Sequence, residues 1–340
     1  MSRSRQFRRV KITDVAQSLG LSVSTVSRAL NGYADVNAET RRRISEQAER
    51  MGYTPSRVGL RLRKGRSHAV GFVIPPFGSD FADPVFLSVL AGADQRLRRE
   101  GVQLLVTTAA SEDDELRAMR RMIEGDQVDS MILVRLRRED PRVAYLHEQG
   151  IPMSLLGRSR SVPSAPSVEI DTALGVVLAV THLAGLRRRR LAHVNAPQHY
   201  NYGLDRAEAF RECLATLALD PSEQTEMTGD LTEQGGYRAA LSLLDRPTPP
   251  DGIVFANDAM AIGAMHAIVS RGYRPGEDIS LVGFSDVPVA SLVNPPLTTL
   301  RVPYKDLGAL VADHLLLDLS GRNDGSLSHV ARPELIVRQT

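Results

Sequence analysis

Cysteine is nearly missing from this chain of 340 residues, which has one, and tryptophan is missing altogether. The lone Cys213 excludes an intrachain disulfide and any metal site built from a cysteine cluster. It sits in Ala209-Phe210-Arg211-Glu212-Cys213-Leu214, a helical pattern, and reads as a buried small hydrophobe. No apolar run approaches the roughly 18–20 residues of a membrane span. The opening Met-Ser-Arg-Ser-Arg-Gln-Phe-Arg-Arg lacks the apolar core of a secretion signal. Both absences point to a cytoplasmic chain with no membrane partner. Also missing are a Walker loop, a His-based zinc spacing and a Gly-x-Ser-x-Gly elbow. The paired acids Asp113-Asp114 and Asp230/Glu233 fall at apparent helix starts, where carboxylates favourably meet the macrodipole. No catalytic residue, metal or cofactor is assigned, and an enzyme is not expected.

What is present is divided by charge. The formal net charge is +2, yet residues 1–68 hold fifteen Lys and Arg against five Asp and Glu, a net of +10, and the rest carries −8. A compact basic module is the footprint of a phosphate-backbone binder, with affinity that falls steeply with salt. Nucleic-acid binding therefore belongs to the N-terminus alone. A chain of 340 residues suggests two or three domains.

Inside the basic segment, Ala16, Gly20 and Val26 are spaced as a helix-turn-helix requires. Ala16 is small where two helices cross, Gly20 can take the positive φ of the tight turn, and Val26 plugs the second helix against the first. Ser22 is placed to cap that second helix, its hydroxyl accepting from a free first-turn N–H. The exposed face then offers Val23, Ser24, Thr25, Ser27 and Arg28, a surface that suits a major groove. An ordinary three-helix bundle would share the spacing but not the charge.

From residue 69, short apolar runs alternate with amphipathic stretches, the signature of a parallel sheet covered on both faces. The runs are Ala69–Ile74, Val102–Thr108, Ser130–Leu136 and Pro152–Gly157, then Leu191–Ala196, Gln224–Gly229, Gly252–Asn257 and Ser280–Ser285. The first three pairs start 122 residues apart and the fourth 128. The steady offset argues for two α/β lobes of like topology; a single doubly wound domain is the other arrangement it allows. Two lobes imply a cleft, and open α/β sheets bind ligands beyond the carboxyl ends of their strands. Between the modules, Pro55 to Gly65 could form two turns of helix, which are marginal alone because nucleation is costly. It is either a tether or a segment that folds when it meets DNA.

Taken together, these features resemble the lactose-repressor (LacI/GalR) family of bacterial transcription regulators, from about Val10 to the Glu334-Leu335-Ile336-Val337-Arg338 ending. The most specific element runs from Asp14-Val15-Ala16 through Ser22 to Arg28-Ala29-Leu30-Asn31. Phe255 to Gly263, and Val282-Gly283-Phe284-Ser285-Asp286 with Pro295-Pro296-Leu297-Thr298-Thr299, resemble the effector-domain signatures. His182-Leu183 before the Arg187–Arg190 run is similar to another, although the run itself reads as a solvated turn.

The resemblance implies an all-α helix-turn-helix headpiece over 1–55, a hinge helix and linker over 56–68, and a two-lobed, periplasmic-binding-protein-like α/β body with parallel sheets over 69–340. Lobe 1 would take about 69–170 and 302–330, and lobe 2 about 171–301 and 331–340. It implies a homodimer on a palindromic double-stranded operator, Val23 and Ser24 varying operator choice and Arg28 reading a base. Ser22, Thr25, Ser27, Asn31 and Arg57 complete the DNA set, and Leu62 is the minor-groove wedge, with Gly59 a departure from the usual Ala. Around the cleft it points to Phe81, Asp83, Phe86, Arg158, Arg206, Asn257, Asp286 and Tyr304, with the forked Arg206 and Asn257 suited to vicinal sugar hydroxyls. Ser285 departs from the acid many relatives carry, and Asp171 reads as a helix cap. The function implied is a repressor of carbohydrate-utilisation genes released by a sugar inducer. The rivals are a corepressor-dependent regulator of nucleobase or other metabolism, and a two-lobed solute-binding protein.

Overall fold

In the computed structural model the described residues are 10–30, 33, 35–53, 67–76, 84–219, 225–322 and 327–340. The chain separates into two units at Ser67/His68.

The first unit holds three helices, α1 (Ile12–Leu19), α2 (Val23–Leu30) and α3 (Ala38–Arg50). Gly20 ends α1 at φ +67, the left-handed conformation a tight turn needs. Asn37 opens α3, its side chain accepting from the Glu39 N–H at 2.8 Å. The core is wholly apolar: Val15, Ala16, Val26, Ala29, Val36, Ile44 and Ala48.

The second unit contains two six-stranded sheets. In chain order its elements begin with β1 (Ala69–Ile74), α4 (Pro84–Arg99), β2 (Gln103–Thr108), α5 (Glu112–Glu124), β3 (Ser130–Val134), α6 (Pro141–Glu148), β4 (Met153–Leu156) and β5 (Ser167–Ile170). Next come α7 (Thr172–Gly185), β6 (Leu191–Asn195), α8 (Asn201–Thr216), β7 (Thr225–Thr228), α9 (Glu233–Leu244), β8 (Gly252–Phe255), α10 (Asp258–Ser270) and β9 (Ser280–Ser285). The last are β10 (Thr299–Arg301), α11 (Tyr304–Leu319), β11 (Ser328–Ala331) and β12 (Glu334–Ile336). Sheet order is β11-β5-β4-β3-β1-β2 in lobe 1 and β12-β10-β9-β8-β6-β7 in lobe 2. All neighbours are parallel except β10 and β12. The chain thus crosses between lobes at 171, at 302–303 and at 332–333, all beside one edge of each sheet.

The eight strands read from the sequence are all present, and four further ones join them. Observed starts repeat the 122-residue offset at 69/191, 103/225 and 130/252. Each lobe carries one helix pair in backbone contact. A Cβ on Gly92 of α4 would fall 1.8 Å from the Lys305 carbonyl of α11, and one on Gly263 of α10 would fall 1.9 Å from the Glu233 carbonyl of α9. Cys213 is buried in an apolar cluster.

The Arg187–Arg190 run corrects the solvated-turn reading. Arg187 and Arg189 are exposed, but Arg188 donates to the Glu277 carbonyl at 2.7 Å and the Gly276 carbonyl at 3.0 Å. Arg190 donates to the Pro249 carbonyl at 2.9 Å. Loop carbonyls without strand partners explain why two of the four cations turn inward.

Candidate functional site

In the first unit the polar face of α2 is built by its buried one. Val26 and Ala29 turn into the core, so Val23, Ser24 and Arg28 face outward, with Thr25 and Ser27 half-buried. Ser22 caps the helix, its hydroxyl accepting from the Thr25 N–H at 3.1 Å and lying 2.7 Å from the Ser24 hydroxyl. The Arg28 guanidinium pairs with Asp35 and lies 5.7 Å from the Tyr33 ring centre. Both ion-pair partners are half-exposed, and such a pair contributes little, so Arg28 can exchange its partner at small cost. Asn31, Arg57 and Leu62 lie outside the described residues, as do Phe81 and Asp83 of the first crossover loop.

In the second unit a cleft of about 920 Å³, counting its open mouth, lies where the carboxyl ends of β3, β4, β5, β8 and β9 converge. Phe86, Arg158, Arg206, Asn257 and Tyr304 all line it. Arg206 is its deepest charge. The guanidinium carbon lies 3.8 Å from the Phe284 ring centre and 5.0 Å from that of Tyr202. Nη1 donates to the Ala256 carbonyl at 2.8 Å, while Nε is buried without a partner. Burial holds the Arg206 pKa below its ordinary value. A buried cation so placed is costly unless something hydrogen-bonds it.

The facing wall comes from lobe 1. Arg135 lies with its guanidinium carbon 5.0 Å from the Phe86 ring centre and has a backbone φ of +50, a strained value for a side chain of this kind. Buried Arg142 holds that turn by donating to the Val134 and Arg135 carbonyls, both at 3.1 Å. Arg142 is itself compensated by Glu115 and by Asp140 at 2.7 Å. Arg158 reaches across the lobes to Asp205 at 2.7 Å and lies 4.0 Å from Glu169, whose carboxyl burial pushes up. The Tyr304 and Ser285 hydroxyls lie 3.3 Å apart.

Two expectations need correction. Asp286 does not line the cleft. Its carboxylate is consumed by Arg338 at 2.6 Å and Arg301 at 2.8 Å, which hold its pKa below the ordinary carboxylate value despite burial. Asn257 lines the cleft but is not a free fork. Its Oδ1 caps α10 by accepting from the Met260 N–H at 3.0 Å, and its Nδ2 donates to the Leu231 carbonyl at 2.9 Å. Asp171 is a cap as expected, accepting from the Leu174 N–H at 2.9 Å. The sequence reading missed Asn201, Tyr202, Asp205, Glu169, Phe284 and Arg135 as cleft residues. Tyr202 had a signal: it stands four residues before Arg206, on the same helix face.

Comparison with known proteins agrees with this architecture. Residues 11–56 match the model of bacterial regulatory proteins of the lacI family, and residues 180–340 match the periplasmic binding protein-like domain. The regulator AglR of Rhizobium meliloti (strain 1021) is 34% identical over 333 residues, covering 97% of this chain and 93% of AglR. CelR of Thermobifida fusca is 30% identical over 336 residues, covering 98% of each. A lac repressor dimer bound to operator and the anti-inducer ONPF superposes with a TM-score of 0.84 at 25% identity, covering 98% of this chain and 99% of that one. A CelR–cellobiose complex superposes at 0.74 with 29% identity, covering 97% and 99%. With a helix-turn-helix unit, a two-lobed body and a relative of this identity over nearly its whole length, the chain belongs to the LacI family of bacterial transcription regulators.

Proposed function

We propose that this chain is a repressor that binds a palindromic operator as a homodimer and releases it when a saccharide enters the cleft. The observation that carries the effector half is Arg206, a buried guanidinium between two aromatic rings with an unpartnered Nε. Guanidinium donors suit vicinal hydroxyls, and aromatic faces suit the C–H surface of a pyranose. The cellobiose bound by the similar CelR supports a disaccharide as first probe.

The DNA half rests on the outward side chains of α2. Val23 and Ser24 choose among operators, Arg28 reads a guanine, and Ser22, Thr25 and Ser27 meet phosphate or the helix end. One eight-residue helix contacts few bases, so two copies on a two-fold site supply the specificity. Residues 56–68 form the hinge of this reading, with Leu62 as its wedge.

A thermal-shift screen of the full-length protein against disaccharides, monosaccharides, nucleobases and nucleosides tests the effector class, because a specific ligand stabilises the fold it binds. A disaccharide is expected to raise the midpoint. A nucleobase or nucleoside that does so while every saccharide fails overturns the sugar reading.

A further inference from the structure

We propose that Glu112 is a positioning residue for the cleft: from lobe 1 it clasps His199 and Tyr200 of lobe 2 and holds the cleft rim shut through protein groups alone. The clasp lies on a seam where the two lobes meet as a miniature antiparallel pairing, with Arg137 opposite Tyr200. The Arg138 N–H donates to the His199 carbonyl at 2.9 Å, and the Asn201 N–H donates to the Leu136 carbonyl at 3.0 Å. The Asn201 Nδ2 adds a bond to the Arg158 carbonyl at 2.8 Å. Leu136, Arg158 and Asn201 all line the cleft, so the seam is part of its rim. The seam follows β3, two strands in from β5, beside which the chain crosses between lobes. The crossovers and the seam are therefore distinct places.

Glu112 does not line the cleft, yet it binds the seam from the side. Its Oε1 accepts from the Tyr200 hydroxyl at 2.9 Å and lies 2.8 Å from the His199 Nε2. Its Oε2 lies 3.4 Å from Arg137 Nε. These partners hold its carboxyl below its ordinary pKa despite burial. Arg137 in turn donates to buried Glu115 at 2.6 Å, so the clasp is anchored in the charged core of lobe 1. A carboxylate that gathers a phenol and an imidazole from the other lobe has one evident effect, which is to favour the closed arrangement.

An internal clasp has a kinetic signature. Where the closed form dominates both with and without effector, weakening the clasp changes affinity little while both entry and exit quicken, because the binding-competent fraction stays near one. The inference concerns the cleft assigned above to the effector, but its test uses no ligand. A failed saccharide screen and a failed clasp are therefore separate results.

Amide hydrogen exchange on the effector-free, full-length protein reads the seam directly through the Arg138 and Asn201 amides. In Glu112→Ala these should exchange about three- to fivefold faster, the size expected for a partly exposed charge-assisted cluster. Asp113→Ala removes a neighbouring exposed carboxylate from the same helix turn and should leave them unchanged. His199→Ala, which spares the Tyr200 bond, should fall between. Unchanged exchange in Glu112→Ala overturns the proposal, as does an equal rise in Asp113→Ala or a uniform rise across lobe 1.

Discussion

The headpiece and the body treat charge in opposite ways. Among the described residues of the headpiece, every buried residue is apolar and every charged one stays at or near the surface. The body buries Glu115, Arg137, Asp140, Arg142, Arg206 and Asp258. Surface charge is available to a partner as large as a duplex, and its pairs exchange cheaply. Buried charge demands a fixed partner, so it can hold a strained turn or a cleft wall in one geometry. The difference teaches that one unit keeps its charge outward and exchangeable while the other locks it inside a fixed geometry.

The comparison breaks most easily at Arg142. Arg142→Ala leaves Glu115 and Asp140 buried without their main cation and should destabilise the body by about 3–5 kcal/mol. Urea melts followed separately for headpiece and body check this, and the headpiece transition should not move.

Next in size is a pH effect confined to lobe 2. Burial pushes the Asp258 carboxyl from 3.8 up to about 6, against hydrogen bonds from Thr299 and from the Val287 N–H at 2.8 Å. A raised folded pKa means stability present below pH 3.8 and lost as pH rises towards 6. Asp258→Asn should flatten that slope in melts from pH 4 to 6. Asp140, whose pKa is lowered by Arg142 despite burial, contributes in the other sense, losing stability only as pH falls below 3.8.

Arg206→Ala sharpens the comparison by separating ligand from DNA. Losing a charged, buried hydrogen-bonding partner should weaken effector binding by about 1.5–3 kcal/mol in calorimetry with the screened saccharide. Effector-free DNA affinity should be unchanged. Arg28→Ala is the converse and smaller case. Losing one guanine contact should cost about 1–3 kcal/mol of operator preference, with salt-sensitive nonspecific binding retained. An equal proportional loss in both modes, measured at one salt concentration, would count against base reading.

Much of this fold was legible because periodicity carries it. The eight long apolar runs are strands, and the Ala16–Gly20–Val26 spacing is a helix-turn-helix with Val26 fully buried. Strands β10 and β12 escaped because three residues show no period, and β5 and β11 because polar residues interrupt Ser167–Ile170 and Ser328–Ala331. The cleft was half legible. Arg206 was carried by its motif, whereas Glu169, Asp205 and Asn201 meet only because two sheets face each other. Asp286 misled because its motif names a residue without its partners, and here Arg301 and Arg338 are the partners. Glu115 hid behind a helix start rich in acids, where Glu112, Asp113 and Asp114 read equally well as first-turn carboxylates.

The central claim joins the two regions: the α2 face selects DNA, and occupancy of the Arg206 cleft releases it. The direct test is selection of duplexes from a randomised pool by the full-length protein, with and without the saccharide found by thermal shift. The account predicts enrichment of a two-fold symmetric site without the saccharide and its loss when the saccharide is present. Enrichment only in the presence of ligand, or no symmetric site under either condition, would contradict it.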